Sequence, residues 1–151
     1  MRKIILLMVA TLIVACDDDT PLQPLSALPH ATATPSCGPA DGPATAIYLA
    51  STPVQLPQPD VPFIQVFVPR RFTESTTEGV VFRIGENFDE EASAWFHRSG
   101  VELKSATSGE VGITAFTGNL LTGYVDLEFP DGVRVRGSFS ASWQHREILC
   151  G

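Results

Sequence analysis

The chain has 151 residues, with 10 Lys and Arg against 17 Asp and Glu and a formal net charge of −7. A length of this order suits one domain and one core. The acidic balance, without a basic patch, argues against a nucleic-acid partner and against electrostatic adsorption to anionic lipid, both of which need clustered Lys and Arg.

At the amino terminus Arg2 and Lys3 precede an apolar run, Ile4 to Ala15. A bilayer-crossing helix needs about 20 apolar residues, so the run is too short to span. Charge, apolar core and small residues at its end have the form of a secretory signal. Its ending, Ile13-Val14-Ala15-Cys16, resembles the lipobox of bacterial lipoproteins. The resemblance implies removal of residues 1–15 as a signal peptide, diacylglycerol on Cys16, further acylation such as palmitate at the new amino terminus, and a membrane anchor on the non-cytoplasmic side of the bacterial cell envelope. The plainer alternative is an ordinary secretory signal in which Cys16 is incidental. One acyl chain attaches only marginally and two or three hold. Asp17 to Asp19 read as a solvated spacer, with envelope sorting as the sharper alternative. Loss of Arg2 and Lys3 from the 10 basic residues takes the formal charge from −7 to −9.

Thr20 to Ser36 carries Pro21, Pro24, Pro29 and Pro35 and no Asp, Glu, Lys or Arg, a composition that favours an extended tether of about 3.1 Å per residue. The expected organisation is therefore residues 16–36 as lipidated cysteine and tether, and 37–151 as a β domain. With Cys16 assigned to lipid, Cys37 and Cys150 stand at the two ends of that domain. An exported protein can oxidise such a pair to a disulfide; two free thiols or an intermolecular link are the alternatives.

Ala44 to Leu49, Phe63 to Val68, Gly79 to Ile84, Ala92 to Arg98 and Val101 to Ala106 read as strands separated by Gly, Pro, Asp or Ser. Pro53, Pro57, Pro59 and Pro62 exclude helix between the first two, and only Glu86 to Ala94 has room for a helical turn. Phe63 to Val68, FIQVFV, is apolar on both faces, so it is central in a sheet or covered by the proline-rich loop. From Gly109 to Trp143 the period of two is sustained. Val111, Ile113 and Ala115, then Leu121, Val125, Leu127 and Phe129, then Val133, Val135, Phe139, Ala141 and Trp143 occupy one face.

That pattern sets the last turn. A two-residue turn at Asp131-Gly132 would put Phe129 opposite Arg134 and mix apolar with charged faces. A three-residue loop, Pro130-Asp131-Gly132, puts Phe129 opposite Val133 and Leu127 opposite Val135, with Gly132 in the left-handed conformation. Glu128 then faces Arg134, and Asp126 faces Arg136. The expected fold is all-β, a single antiparallel sandwich or barrel of about seven or eight strands ending in a meander of long hairpins. The run Leu121, Gly123, Asp126, Leu127, Phe129, Asp131, Gly132, Val135, Gly137, Phe139 and Ala141 looks similar to uncharacterised β-rich lipoproteins of environmental bacteria. It is a structural motif and implies no activity.

Catalytic signatures are missing where they would be legible: G-x-S-x-G, H-E-x-x-H and the phosphate-cradling P-loop do not occur. His30 falls in the tether. His97 and His145 read as surface or satisfied residues, the alternative being a metal site shared with Glu91 or Glu147. The run Glu86-Asn87-Phe88-Asp89-Glu90-Glu91 lacks the alternating order that fixes calcium geometry and reads as a solvated loop. Arg70-Arg71, near Glu74 and Glu78, reads as a charge-balanced turn. Trp95 and Phe96 must face opposite sides of a strand; packing of both is expected, with a partner for one as the alternative. No catalytic residue, metal or cofactor is expected. The leading functional reading is a non-catalytic structural or interaction module with an envelope protein partner. A carrier holding a small apolar ligand in a barrel cavity is the second, and an envelope hydrolase the third.

Overall fold

The computed structural model describes residues 28–38, 41–56, 62–73, 79–98 and 101–150. Nine strands follow one another: β1 (His30–Cys37), β2 (Pro43–Ala50), β3 (Phe63–Val68), β4 (Val80–Arg83), β5 (Ser93–Arg98), β6 (Val101–Ser105), β7 (Ser108–Thr117), β8 (Leu120–Glu128) and β9 (Arg134–Trp143). The fold is all-β, a single sheet in the order β4-β7-β8-β9-β1-β2-β3-β5-β6 that curls into a half-barrel.

The ends of that order approach each other. Ile84, just past β4, forms a parallel bridge with Ala92, just before β5. Only Ala106 and Thr107 separate β6 from β7. Ala106 N–H donates to Ala94 O at 2.8 Å and Thr107 N–H to Glu128 O at 2.7 Å, so one run of chain changes partner from β5 to β8. Gly109 lies just beyond this switch with φ 130°. A β-carbon there would sit 2.0 Å from Asp126 O, which makes glycine a requirement.

With β6 and β7 counted as one path, the circuit β1-β2-β3-β5-β6/β7-β8-β9 has seven members, each antiparallel to the one before. An odd number of alternating strands leaves the first and last pointing the same way. Accordingly β1 pairs with β9 in parallel, from Ala31↔Ala141 to Ala33↔Trp143. Gln144 N–H donates to Ala33 O at 2.7 Å. Alternation then turns the backbone of Pro35 to the same side, beyond the last paired residue, where its missing N–H interrupts no ladder.

The domain therefore begins earlier than Cys37. Residues 30–36, expected in the tether, form most of β1; Ala33 is fully buried, and Leu28 and Ala31 pack against the core. Small residues alternate here, Ala31, Ala33 and Pro35 against Thr32, Thr34 and Ser36. On the inner side these small residues stand beside larger ones of the neighbouring strand, Ala33 opposite Ile47 and Ala31 opposite Leu49.

Ala33, Ile47, Leu49, Ile64, Val66, Val68, Val111, Val125, Leu127 and Val135 form one buried cluster. Burying a Val, Leu or Ile in this way contributes about 1.5–3 kcal/mol each. Phe72 follows β3 and Phe129 follows β8. Those strands run in opposite directions around the circuit, so the two rings, both in the cluster, plug opposite ends of the barrel.

The β8–β9 register is the one the hydrophobic pattern requires. Leu127 pairs with Val135, Glu128 with Arg134 and Asp126 with Arg136; Phe129 N–H donates to Val133 O at 2.8 Å, and Gly132 has φ 74°. Two details differ from expectation. A register shift between Ile113 and Ala115 moves Ala115 off the inner face and turns the larger Phe116 inward, where its ring lies 4.8 Å from that of Trp143. Both arginines also converge on Asp126: Arg134 Nε donates to Oδ1 at 2.7 Å, and Arg136 Nε to Oδ2 at 2.9 Å. Glu128 instead accepts from Ser108 Oγ at 3.1 Å.

Candidate functional site

The outer surface of the barrel has two characters. On β7, β8 and β9 it is polar. The Tyr124 ring covers Gly112 on the neighbouring strand, where a β-carbon would lie 2.1 Å from it, and Tyr124 Oη donates to Glu110 Oε1 at 3.0 Å. That bond raises the phenol above its usual range. Thr114 and Thr122 share a hydrogen bond at 3.0 Å. Arg134 first, then Arg136, hold the Asp126 carboxyl at about 2. This is cross-strand pairing on a wet face.

On β2, β3 and β5 the outer face is aromatic. Register places Ala50, Phe63 and His97 in one row and Tyr48, Gln65 and Trp95 in the next. The Phe63 and His97 rings are stacked, with centroids 4.4 Å apart and 7° between planes. Tyr48 tilts against Phe63 at 5.7 Å, and Trp95 meets Phe67 edge-on at 5.5 Å. Such pairs contribute about 0.5–1.5 kcal/mol beyond area burial. Gln65 Nε2 donates to Tyr48 Oη at 3.2 Å, while burial raises the Tyr48 phenol above its usual range. Val54 and Leu56, from the loop after β2, pack with Ala50, Tyr48 and Phe63 into a second small core. Phe63 to Val68 is thus paired on both sides, with β2 and β5, and at Phe63 it is also covered outside by Val54 and Leu56. Trp95 faces out and Phe96 packs inward against the main cluster, as opposite faces require; both are half-buried.

Cys37 and Cys150 are joined in a disulfide, with Cα atoms 5.5 Å apart. It closes residues 144–150 back onto the end of β1, together with Arg71 Nη2 donating to Ile148 O at 3.2 Å. Cys16 and Asp17 to Asp19 lie outside the described residues, as do Glu74 and Glu78.

The two histidines of the candidate metal site are not brought together. His97 is near the end of β5, whereas His145 follows β9, which runs the other way, and its ring hydrogen-bonds to Asn119 Oδ1 at 3.2 Å. Burial lowers the His97 pKa, and its Nε2 is enclosed without a hydrogen-bond partner. Among the described residues no three His, Cys, Asp or Glu side chains are grouped to hold a metal. The 86–91 segment makes one helical turn, Glu91 N–H donating to Asn87 O at 2.7 Å. The Glu91 carboxylate accepts from Asn87 N–H at 2.9 Å, folding back over its own loop. Phe88 and Asp89 then line a recess of about 130 Å³ with Ala44 and Pro69, a space for a few waters.

The aromatic face as a unit was not legible in sequence. Tyr48, Phe63, Phe67, Trp95 and His97 come from three separated strands, and only the β3 pairing with both neighbours aligns them. No family model matches the chain, and no curated protein and no solved structure was found similar to it.

Proposed function

We propose that this protein is a lipid-anchored module of the bacterial cell envelope that acts by binding a protein partner rather than by catalysis, and that the outer face of β2, β3 and β5 is the docking surface. The observation that carries this reading is the division of apolar side chains. The barrel interior is occupied by one packed cluster, while five further rings collect outside. A filled interior supports docking over carriage of an apolar ligand. Tyr and Trp supply rigid area with polar handles, the chemistry enriched where partners bind most strongly. The separation of His97 from His145 supports a non-catalytic role over hydrolysis. The lipobox-like Ile13-Val14-Ala15-Cys16 supports the anchor, which would hold this face near other envelope proteins.

The test is photo-crosslinking in intact envelopes, with a photoreactive residue at Gln65 on the aromatic face or at Thr122 on the polar one. Docking as proposed gives a discrete crosslinked species from position 65 alone, lost when Trp95→Ala and Phe67→Ala are combined. Equal labelling from both positions, or none from position 65, would overturn it.

A further inference from the structure

Between the end of β9 and the disulfide, residues 144–150 form a strap whose attachments reach β1, β2 and the end of β3. Gln144 N–H donates to Ala33 O of β1 at 2.7 Å. Burial raises the Tyr48 phenol of β2, and the Gln65 hydrogen bond and then the charge of Arg146 oppose that shift, which brings the guanidinium near the outer face. Arg71, just past β3, donates from Nη2 to Ile148 O at 3.2 Å, and Cys150 returns to Cys37 at the end of β1. These four points surround the cross-strand pair Thr34 and Ala46. Alternation puts that pair on the outer side of the sheet, since Ala33 and Ile47 belong to the core.

The pair is closed off from water although it faces away from the core. Thr34 is 3% exposed and Ala46 0%, Ala46 is in neither apolar cluster of the described residues, and Thr34 Oγ1 is buried with no hydrogen-bond partner among them. A strap crossing above accounts for all of this. The strap itself is weakly seated. Gln144, His145, Arg146, Glu147 and Leu149 are exposed, Leu149 at 99%, and only Ile148 and Cys150 are half-buried. Apart from the disulfide it is held by single hydrogen bonds at Gln144, His145 and Ile148. Ordering seven residues costs more conformational entropy than three such bonds return, and opening restores water to Thr34 Oγ1. The covalent bond therefore keeps the strap down.

We infer that residues 144–150 are a disulfide-held cover on the docking surface, released when a dithiol reduces the Cys37 to Cys150 bond. This rests on the reading of the outer face of β2, β3 and β5 as that surface. Ala46 pairs with Phe67, so release extends the aromatic face across β2 to Thr34 on β1 and leaves the core untouched. Both cysteines are half-buried beside the exposed Leu149, within reach of a donor. One thiolate of the dithiol attacks a sulfur of the bond, and its second thiol resolves the mixed disulfide. Two electrons and two protons finish on the Cys37 and Cys150 thiols, while the donor leaves as a disulfide.

The test compares the full chain in detergent, oxidised and after dithiothreitol, by limited trypsin digestion. Cleavage after Arg146 should rise about tenfold on reduction, as for a locally opened segment, while Arg134 and Arg136 within β9 stay uncut. R71A, with the disulfide intact, should give a smaller rise at the same position. In intact envelopes, a photoreactive residue at position 65 should capture its partner about threefold more in C150S than in the oxidised wild type, as the uncovered population grows. No rise at Arg146, or cleavage at Arg134 and Arg136 rising with it, would overturn the strap. A strap that opens with equal capture in both forms overturns the gating and leaves the docking surface standing. A strap that opens with no capture in either form removes the docking surface, and the inference with it.

Discussion

Removing the Cys37–Cys150 bond tests how the barrel is held at its parallel seam. β1 meets β9 over only three residue pairs, Ala31 to Ala33 against Ala141 to Trp143, and the disulfide ties the chain just beyond. The cysteines are 113 residues apart. In the chain-entropy model a loop of that length is worth about 4.8 kcal/mol, an upper figure because residual structure in the unfolded chain subtracts from it. Cys150→Ser is therefore expected to cost about 3–5 kcal/mol, a large share of the 5–15 kcal/mol typical of a domain. With a urea slope of about 1.5 kcal/mol per molar, the midpoint falls by roughly 2–3 M. The assay is urea titration followed by the fluorescence of Trp95 and Trp143, in the oxidised wild type, the reduced wild type and the variant. Reduced wild type and C150S should coincide. Native-state hydrogen exchange should show the largest loss of protection along β1 and β9. A midpoint shift corresponding to less than about 1 kcal/mol, or a loss of protection centred on β3 and β5, would refute this account of the seam.

Other perturbations separate backbone from side-chain causes. Gly123→Ala would place a β-carbon 2.2 Å from Gly112 O and 2.8 Å from Phe139 Cζ. It should cost about 2 kcal/mol or more, whereas Gly118→Ala, with φ 59° but nothing within 4 Å, should cost about 1–2 kcal/mol from conformation alone; thermal melts rank the two. Asp126 has its pKa lowered from 3.8 to about 2 by Arg134 and Arg136, so its contribution is present above about pH 4 and lost as pH falls towards 2. The stability difference between wild type and Asp126→Asn should shrink over that window in urea titrations. For His97 burial lowers the pKa from 6.5. The unfolded chain then binds the proton more readily, and stability falls as pH drops below about 6.5. His97→Phe should flatten that slope in melts between pH 5 and 7.

Much of the carboxyl half was legible from the residues, because a period of two with one buried face admits a single register once the turn length is set. Phe129, Val133, Leu127 and Val135 are too large and apolar to be placed on the wet side, and that decides the three-residue loop at Pro130. The amino-terminal boundary was not legible for the opposite reason. Before Cys37, β1 places only Ala31, Ala33 and Pro35 on its inner face, and Pro21, Pro24 and Pro29 just upstream make the whole stretch read as tether. The inward turn of Phe116 depends on a register shift near Thr114 that no residue type announces. The convergence of two arginines on Asp126 follows from side-chain reach across a twisted sheet rather than from register, which was as expected. The half-barrel itself follows from counting: seven alternating paths must close in parallel, but that required knowing that β6 and β7 are one run of chain and that β1 begins at His30.

The central claim is an anchored envelope module, and the mass of the mature amino-terminal peptide tests it most directly. Full-length chain expressed in a bacterial host, recovered from the membrane fraction and digested, should yield a peptide that begins at Cys16 and carries diacylglycerol with an additional acyl chain. Cys16→Ser should abolish both the modification and the membrane partition while leaving the fold of residues 28–150 intact. An amino terminus at Met1, or a cleaved and unmodified one on a protein found free of the membrane, would contradict the account.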